Sequence, residues 1–187
     1  MSSSPGEVRI IGGLWKRSKL PVANVPGLRP TPDRVRETLF NWLGQDLSGW
    51  YCADPFAGTG ALGFEAASRG AASVVLAETQ AQCVIAMGKS NDRLNASQIK
   101  IQRTDGRSLL RQLPLQSQDL VFLDPPYDSA LYEQALKYAH ACLKPAGFAY
   151  LESNKAWSEE ALQALAWRKV RYLKAGSVHA HLLQTAA

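Results

Sequence analysis

The chain has 187 residues, 46% of them hydrophobic and 20% charged, with a formal net charge of +5. That is the length of one ordinary domain, able to bury a core without disulfide or metal staples, and its apolar content excludes an intrinsically disordered chain. No apolar run reaches the ~18 residues of a membrane span, and the start MSSSPGEVRIIGG lacks the apolar stretch of a secretory signal. Three scattered cysteines (Cys52, Cys83, Cys142) form neither a CxxC pair nor an even disulfide set. A soluble, cytoplasmic domain without metal is expected, with a monomer as its expected state.

Short strands are predicted over 8–11 and 17–22, around Gly12-Gly13 and a loop. Between Arg9 and Arg36 lie seven basic residues (Arg9, Lys16, Arg17, Lys19, Arg29, Arg34, Arg36) and one acid, Asp33. Residues 38–187 hold 14 basic and 13 acidic residues, so the positive charge belongs to one end of the chain. Interleaved glycines, prolines and Trp15 suit an extended or hairpin arm lying against a polyanion. A lone hairpin aromatic more often packs on its own domain, so Trp15 is expected to do that, with stacking on a base as the alternative. Thr31-Pro32 then starts a helix, Thr as N-cap and Pro at the first helical position. Val35, Leu39, Trp42 and Leu43 form its apolar stripe, and Gly44 stops it.

From residue 50 onward, short apolar runs alternate with helical stretches. The runs are 51–54, 73–77, 99–102, 120–124 and 148–152; the helical stretches lie near 61–69, 80–95, 107–112 and 131–143. Such alternation predicts an α/β fold with a parallel sheet and helices on both faces. A further helix over 158–166 and a strand pair, 168–174 with 178–183, complete the chain. The organisation expected is a basic arm or hairpin over 1–30 and a single catalytic domain over 31–187.

The first strand of this body runs into Asp54-Pro-Phe-Ala-Gly58-Thr-Gly60-Ala-Leu-Gly63, and Glu78 ends the next strand. Glycines at that spacing, between strand and helix, permit close backbone approach to a nucleotide, and the acid suits ribose hydroxyls. A pyrophosphate prefers a bare helix N-terminus. Asp54 would repel it, and favours a ligand carrying an ammonium or sulfonium, hence S-adenosylmethionine over NAD. Asp105, beyond the third strand, is placed to accept from an adenine amino group or simply to cap the helix that follows.

Leu120-Val-Phe-Leu-Asp124-Pro125-Pro126-Tyr127 is the most specific feature. A buried strand delivers a carboxylate to the edge of the sheet, two prolines stiffen a turn rich in carbonyls and free of N–H donors, and an aromatic ring closes it. The combination suits an exocyclic amine on a planar base. Asp124 and the Pro125 carbonyl can accept from the NH2 while Tyr127 stacks on the ring. Hydrogen bonds to the amine strengthen as positive charge develops on nitrogen during attack on a methyl group, which is transition-state stabilisation. No metal or covalent nucleophile is required, and His140, His179 and His181 are too dispersed to form a metal site or triad.

Together, Asp54–Gly63, Glu78, Asp105 and Asp124–Tyr127 resemble class I S-adenosylmethionine-dependent methyltransferases acting on an amino nitrogen. The amino end, Arg9-Ile-Ile-Gly-Gly-Leu-Trp15 with Gly27-Leu-Arg-Pro-Thr-Pro-Asp-Arg-Val-Arg-Glu-Thr-Leu-Phe40, resembles the RsmD family, which methylates guanine N2 in bacterial small-subunit rRNA. The resemblance spans residues 8–183 and implies a Rossmann-like, mostly parallel seven-stranded sheet with an N-terminal basic hairpin and helix extension. It further implies that Asp54, Phe56, Gly58, Gly60 and Thr31 hold S-adenosylmethionine, with Glu78 on the ribose and Asp105 on the adenine. Asp124, Pro125 and Tyr127 would receive the flipped guanine, and Thr31–Phe40 would lie across the cofactor pocket with Arg34 and Arg36 at its mouth. Arg9, Lys16, Arg17, Lys19, Arg34 and Arg36 would contact 16S rRNA, within a small-subunit assembly intermediate. Two departures stand out: Gln80 where the family often has an acid, and Tyr127 where phenylalanine is common. An adenine-N6 methyltransferase, a nucleotide-dependent oxidoreductase and a non-catalytic RNA-binding assembly factor are the competing readings.

Overall fold

The computed structural model describes residues 6–126 and 129–186. It opens with a two-stranded antiparallel ribbon, β1 (Glu7–Arg9) and β2 (Lys19–Pro21), with Val8 opposite Leu20. Val8, Ile10, Trp15 and Leu20 are buried in the same hydrophobic cluster as the first helix and the sheet, so apolar contact fastens the ribbon to the body. Trp15 is 9% exposed and its backbone N–H donates to Ser68 Oγ at 2.9 Å. Packing, not base stacking, is therefore its role.

Helix α1 (Asp33–Trp42) begins one residue later than the capping signal implies. Pro32 is the N-cap, and no side chain caps the helix. The Thr31 hydroxyl, one residue before the N-cap, donates to Oε2 of Glu152 at 2.9 Å. Val35, Leu39 and Leu43 are buried as the stripe predicts, but Trp42 is only partly so, and Arg36 and Phe40 complete the inward side.

The body then alternates as expected: β3 (Tyr51–Asp54), α2 (Ala61–Ser68), β4 (Ser73–Ala77), α3 (Ala81–Leu94), β5 (Ile99–Gln102), α4 (Gly106–Gln112) and β6 (Gln118–Leu123). After these come α5 (Ser129–Cys142), β7 (Leu143–Ser153), α6 (Glu159–Ala164), β8 (Trp167–Ala175) and β9 (Val178–Thr185). One seven-stranded sheet has the order β5-β4-β3-β6-β7-β9-β8, antiparallel only where β9 meets β7 and β8. No described helix is long and apolar enough to cross a membrane.

Alternate strand residues serve opposite faces. Cys52, Leu120, Phe122, Tyr150 and Leu182 pack toward α1, α2 and the ribbon. Ala53, Val121, Leu123, Leu151 and Leu183 pack toward α5 and α6. The chain leaves β3 toward β4 on one side and later returns to place β6 on its other side. That reversal opens a crevice at the carboxyl ends of β3 and β6, where open α/β sheets bind ligands.

Candidate active site

A cleft of about 1160 Å³ occupies that crevice, its lining including Asp54, Glu78, Asp105, Asp124 and Glu152. The outer wall is the segment Pro26–Pro32, not the helix 31–40 that the resemblance places there; α1 itself turns away onto the core. The wall is an irregular, proline-rich stretch that turns at Pro26-Gly27, so no helical or strand periodicity marks it in the sequence.

Asp54 ends β3 and is 2% exposed. Burial pushes its carboxyl up to about 7; hydrogen bonds from the Phe56 and Gly63 N–H groups pull it down, while the Glu78 charge adds to the rise. It is thus both a brace for the turn and a wall of the cleft. Gly58 (φ +53) and Gly60 (φ +78) adopt left-handed backbone, and Gly60 is the N-cap of α2. Glu78 locks the same turn from the next strand: Oε2 accepts from the Gly58 N–H at 2.9 Å and Oε1 from the Gln80 N–H at 2.8 Å. Phe56 and Gly58 line the cleft alongside it.

Asp105 is the N-cap of α4. Its carboxylate accepts from the Arg107 N–H (3.0 Å), the Ser108 N–H (3.1 Å) and the Ser108 hydroxyl (2.6 Å). The Ser108 hydroxyl is the largest of the influences that hold its pKa below the usual value, and the group still borders the cleft. Capping is therefore a role it has; reception of an adenine amine is one its position permits. Gly106, which sequence reasoning passed over, lets this loop meet the glycine turn. A Cβ there would lie 2.3 Å from the Pro55 carbonyl oxygen. The Asp-Gly pair just past β5 is the signal that could have flagged it.

Across the cleft, Asp124 and buried Pro125 follow β6, and Tyr127 lies outside the described residues. Burial raises the Asp124 carboxyl well above the carboxylate range, and the charges of Glu152 and Asp54 raise it further. Glu152, absent from the sequence-derived site, lies in the buried carboxyl end of β7 beside it. It is 6% exposed, and Oε2 accepts from the Thr31 and Tyr150 hydroxyls, each at 2.9 Å. Burial raises its pKa and these two hydrogen bonds oppose the rise. Thr31, expected on the cofactor, thus has its hydroxyl proton committed to Glu152. An acid closing the apolar run 148–152 follows the same logic as Asp54 and Asp124, and could have been found by it.

The cleft therefore offers carboxylate and carbonyl acceptors and a glycine-rich backbone. It suits a cationic ligand with a planar head and a second planar group bearing an amine. None of the histidines lines it; His181 is buried, and burial pushes its pKa down to about 4.

The basic residues divide into three groups. Lys16, Arg17, Arg29 and Arg34 are exposed. Arg9 is exposed but paired with Asp33 at 2.8 Å, and Lys19 with Glu7 at 2.7 Å. Arg36 corrects the sequence reading. Its side chain is fully buried, bonded to Asp33 (2.6 Å), to Glu65 (3.3 Å) and to the backbone carbonyls of Arg9 and Thr31, so it cannot reach a nucleic acid.

A family model described as "Conserved hypothetical protein 95" matches residues 8–184. Ribosomal RNA small subunit methyltransferase D of Haemophilus influenzae is 44% identical over 158 residues, 82% of this chain and 82% of that protein. A solved structure of a putative methyltransferase, yhhF, from Escherichia coli is 38% identical, with a TM-score of 0.83 over 97% of this chain and 99% of that one. The T. thermophilus 16S rRNA N2 methyltransferase RsmC, solved with AdoMet and guanosine, is 22% identical with a TM-score of 0.72 over 98% of this chain and 50% of that one, a likeness of fold.

Proposed function

The chain belongs to the RsmD family, the group described as conserved hypothetical protein 95, and on that premise we propose that it methylates the exocyclic N2 amine of a guanine in small-subunit 16S rRNA. The observation that carries the reading is the pairing, across one cleft, of a glycine-turn half and an acceptor half: Asp54, Gly58, Gly60 and Glu78 on one side, Asp124 and Pro125 on the other. S-adenosylmethionine supplies an electrophilic methyl on a sulfonium. The first half fits it: bare left-handed glycines give backbone access, and buried Asp54 favours a cation there. Glu78 takes the ribose hydroxyls chiefly through Oε2, which only the Gly58 amide engages, and Asp105 meets the adenine amine.

The guanine enters from the arm side. An enzyme of this size reaches N2 only by taking the base out of its stack, at a cost of a few kcal/mol. Phosphate contacts from Lys16, Arg17 and Arg34 offset that, with strong salt dependence. Asp124 and the Pro125 carbonyl accept the two amine hydrogens, Tyr127 stacks on the ring, and the nitrogen lone pair is left facing the methyl. Alignment contributes as much as charge. A dinucleotide reading is disfavoured because its pyrophosphate would face Asp54, Asp124 and Glu152.

The test is mass-spectrometric mapping of small-subunit rRNA from cells lacking the gene and from complemented cells. One N2-methylguanine that disappears and returns with the gene is expected; an unchanged map, or loss of an N6-methyladenine, would overturn the proposal.

A further inference from the structure

Glu152 plays no part in the methyl transfer described above, yet it is built as a recognition group. It follows Leu151, the register partner of Leu123, while Asp124 follows Leu123 on the adjacent strand. One layer beneath, on the same face, Phe122 and Tyr150 make an edge-on pair with centroids 6.3 Å apart. The two-residue alternation therefore sets Asp124 and Glu152 side by side, and both line the cleft.

Only one oxygen of Glu152 is used internally. Oε2 takes the Thr31 and Tyr150 hydroxyls at 2.9 Å each, and Oε1 has no hydrogen-bond partner among the described residues although the residue is 6% exposed. No cation pairs with Glu152 among the described residues, and the residue lines the cleft, where a ligand donor would complete Oε1. Two hydroxyl donors on Oε2 oppose the burial that raises its pKa and so favour the ionised, accepting form. The Watson–Crick edge of guanine carries two adjacent donor groups, N1–H and the N2 amine. Adenine and cytosine each put a ring-nitrogen acceptor beside their amine, which would set lone pair against lone pair.

We infer that Glu152 selects guanine: Oε1 accepts the N1–H while Asp124 and the Pro125 carbonyl accept from the N2 amine. The inference rests on the guanine-N2 reading, and it adds the residue that distinguishes guanine from other amine-bearing bases. Thr31 is then a positioning residue, tying the cleft wall 26–32 to the carboxylate that reads the base.

The experiment compares guanine with 2-aminopurine, which keeps the N2 amine but turns N1 into an acceptor. Small subunits are reconstituted with 16S rRNA splint-ligated to carry either base at the mapped position, and single-turnover methyl transfer is followed with wild type, Glu152→Gln and Thr31→Val. Wild type is expected to prefer guanine by at least about ten-fold, since a site built around a donor rejects the analogue lacking it. Glu152→Gln can turn its amide toward N1, so the 2-aminopurine rate holds or rises while the guanine rate falls, and the preference collapses. Thr31→Val, which keeps the charge, narrows the preference by a smaller factor. Equal losses on both substrates, or an unchanged ratio in both variants, would overturn the inference. If Glu152→Gln no longer binds S-adenosylhomocysteine, the Thr31→Val ratio decides alone. Failure of wild type on guanine itself would instead refute the proposed function.

Discussion

The guanidinium of Arg36 lies 3.3 Å from Oε2 of Glu65, and neither side chain is exposed to solvent. Glu65 also takes Arg69 at 2.9 Å and the backbone N–H groups of Ile11 and Gly12 at 2.8 Å each, so one buried carboxylate joins α1, α2 and the ribbon. Removing Arg36 takes away one of the two cations on Glu65 and leaves the carbonyls of Arg9 and Thr31 without their donor, at a cost of up to about 3–5 kcal/mol. Arg36→Ala should therefore lower the unfolding free energy measured by urea denaturation by an amount of that order, while the folded fraction keeps the wild-type salt slope for RNA. A flattened slope at unchanged stability would return Arg36 to the RNA-facing set.

Lys16 and Arg17 are exposed, and no ion pair engages them among the described residues; Arg9 is already engaged by Asp33. Neutralising Lys16 and Arg17 should weaken RNA binding and flatten the logarithmic salt slope by roughly 0.7–0.9 per lost phosphate contact. Arg9→Gln should do less, since its charge is partly spent on Asp33. Titration calorimetry with S-adenosylhomocysteine should show cofactor affinity nearly unchanged in all three.

How much of this was legible in the sequence depended on whether a residue follows a recognisable apolar run and turn. Asp54 and Asp124 do, and so does Asp105 before its glycine. Glu152 ends a similar run, but no glycine or proline turn follows to mark it. Arg36 sits between Val35 and Leu39 on the buried side of α1, where patterning assumes apolar residues; only the distant Glu65 makes a buried arginine tolerable there. Thr31 reads as a cap because caps are local, whereas its partner is 121 residues away. The seven strands, by contrast, all follow from alternation and local turns.

Burial, the largest influence, pushes the Asp54 carboxyl up to about 7. A carboxyl whose folded pKa lies above its unfolded value favours the folded state at low pH, and that contribution is lost as pH rises through about 7. The ligand-free protein should thus lose stability across pH 4 to 7 on account of this group. The ionised form is the one that attracts a cation, so S-adenosylmethionine affinity should rise over the same range, approaching ten-fold per pH unit below the pKa. Calorimetry at pH 6 and 8 checks this, and Asp54→Asn should flatten the dependence. Affinity that falls with pH would contradict a cation-binding role.

Tyr127 closes the Asp-Pro-Pro turn in sequence, and stacking, not its hydroxyl, is the proposed contribution. Tyr127→Phe should be mild, whereas Tyr127→Ala should lose the roughly 1–3 kcal/mol of one base–aromatic stack. Steady-state methylation rates separate the two. Equal damage from both substitutions would make the hydroxyl the working group.

The central claim is that Asp124 acts on the amine in the transition state and not in holding RNA. The direct measurement is transfer of labelled methyl from S-adenosylmethionine to small-subunit rRNA by Asp124→Ala, alongside RNA and cofactor affinities of the same variant. Transfer should fall by about 10²–10³ or more with both affinities close to wild type, as for loss of one preorganised transition-state group. Transfer that persists within a few-fold of wild type, or that falls only in proportion to RNA affinity, would contradict the account.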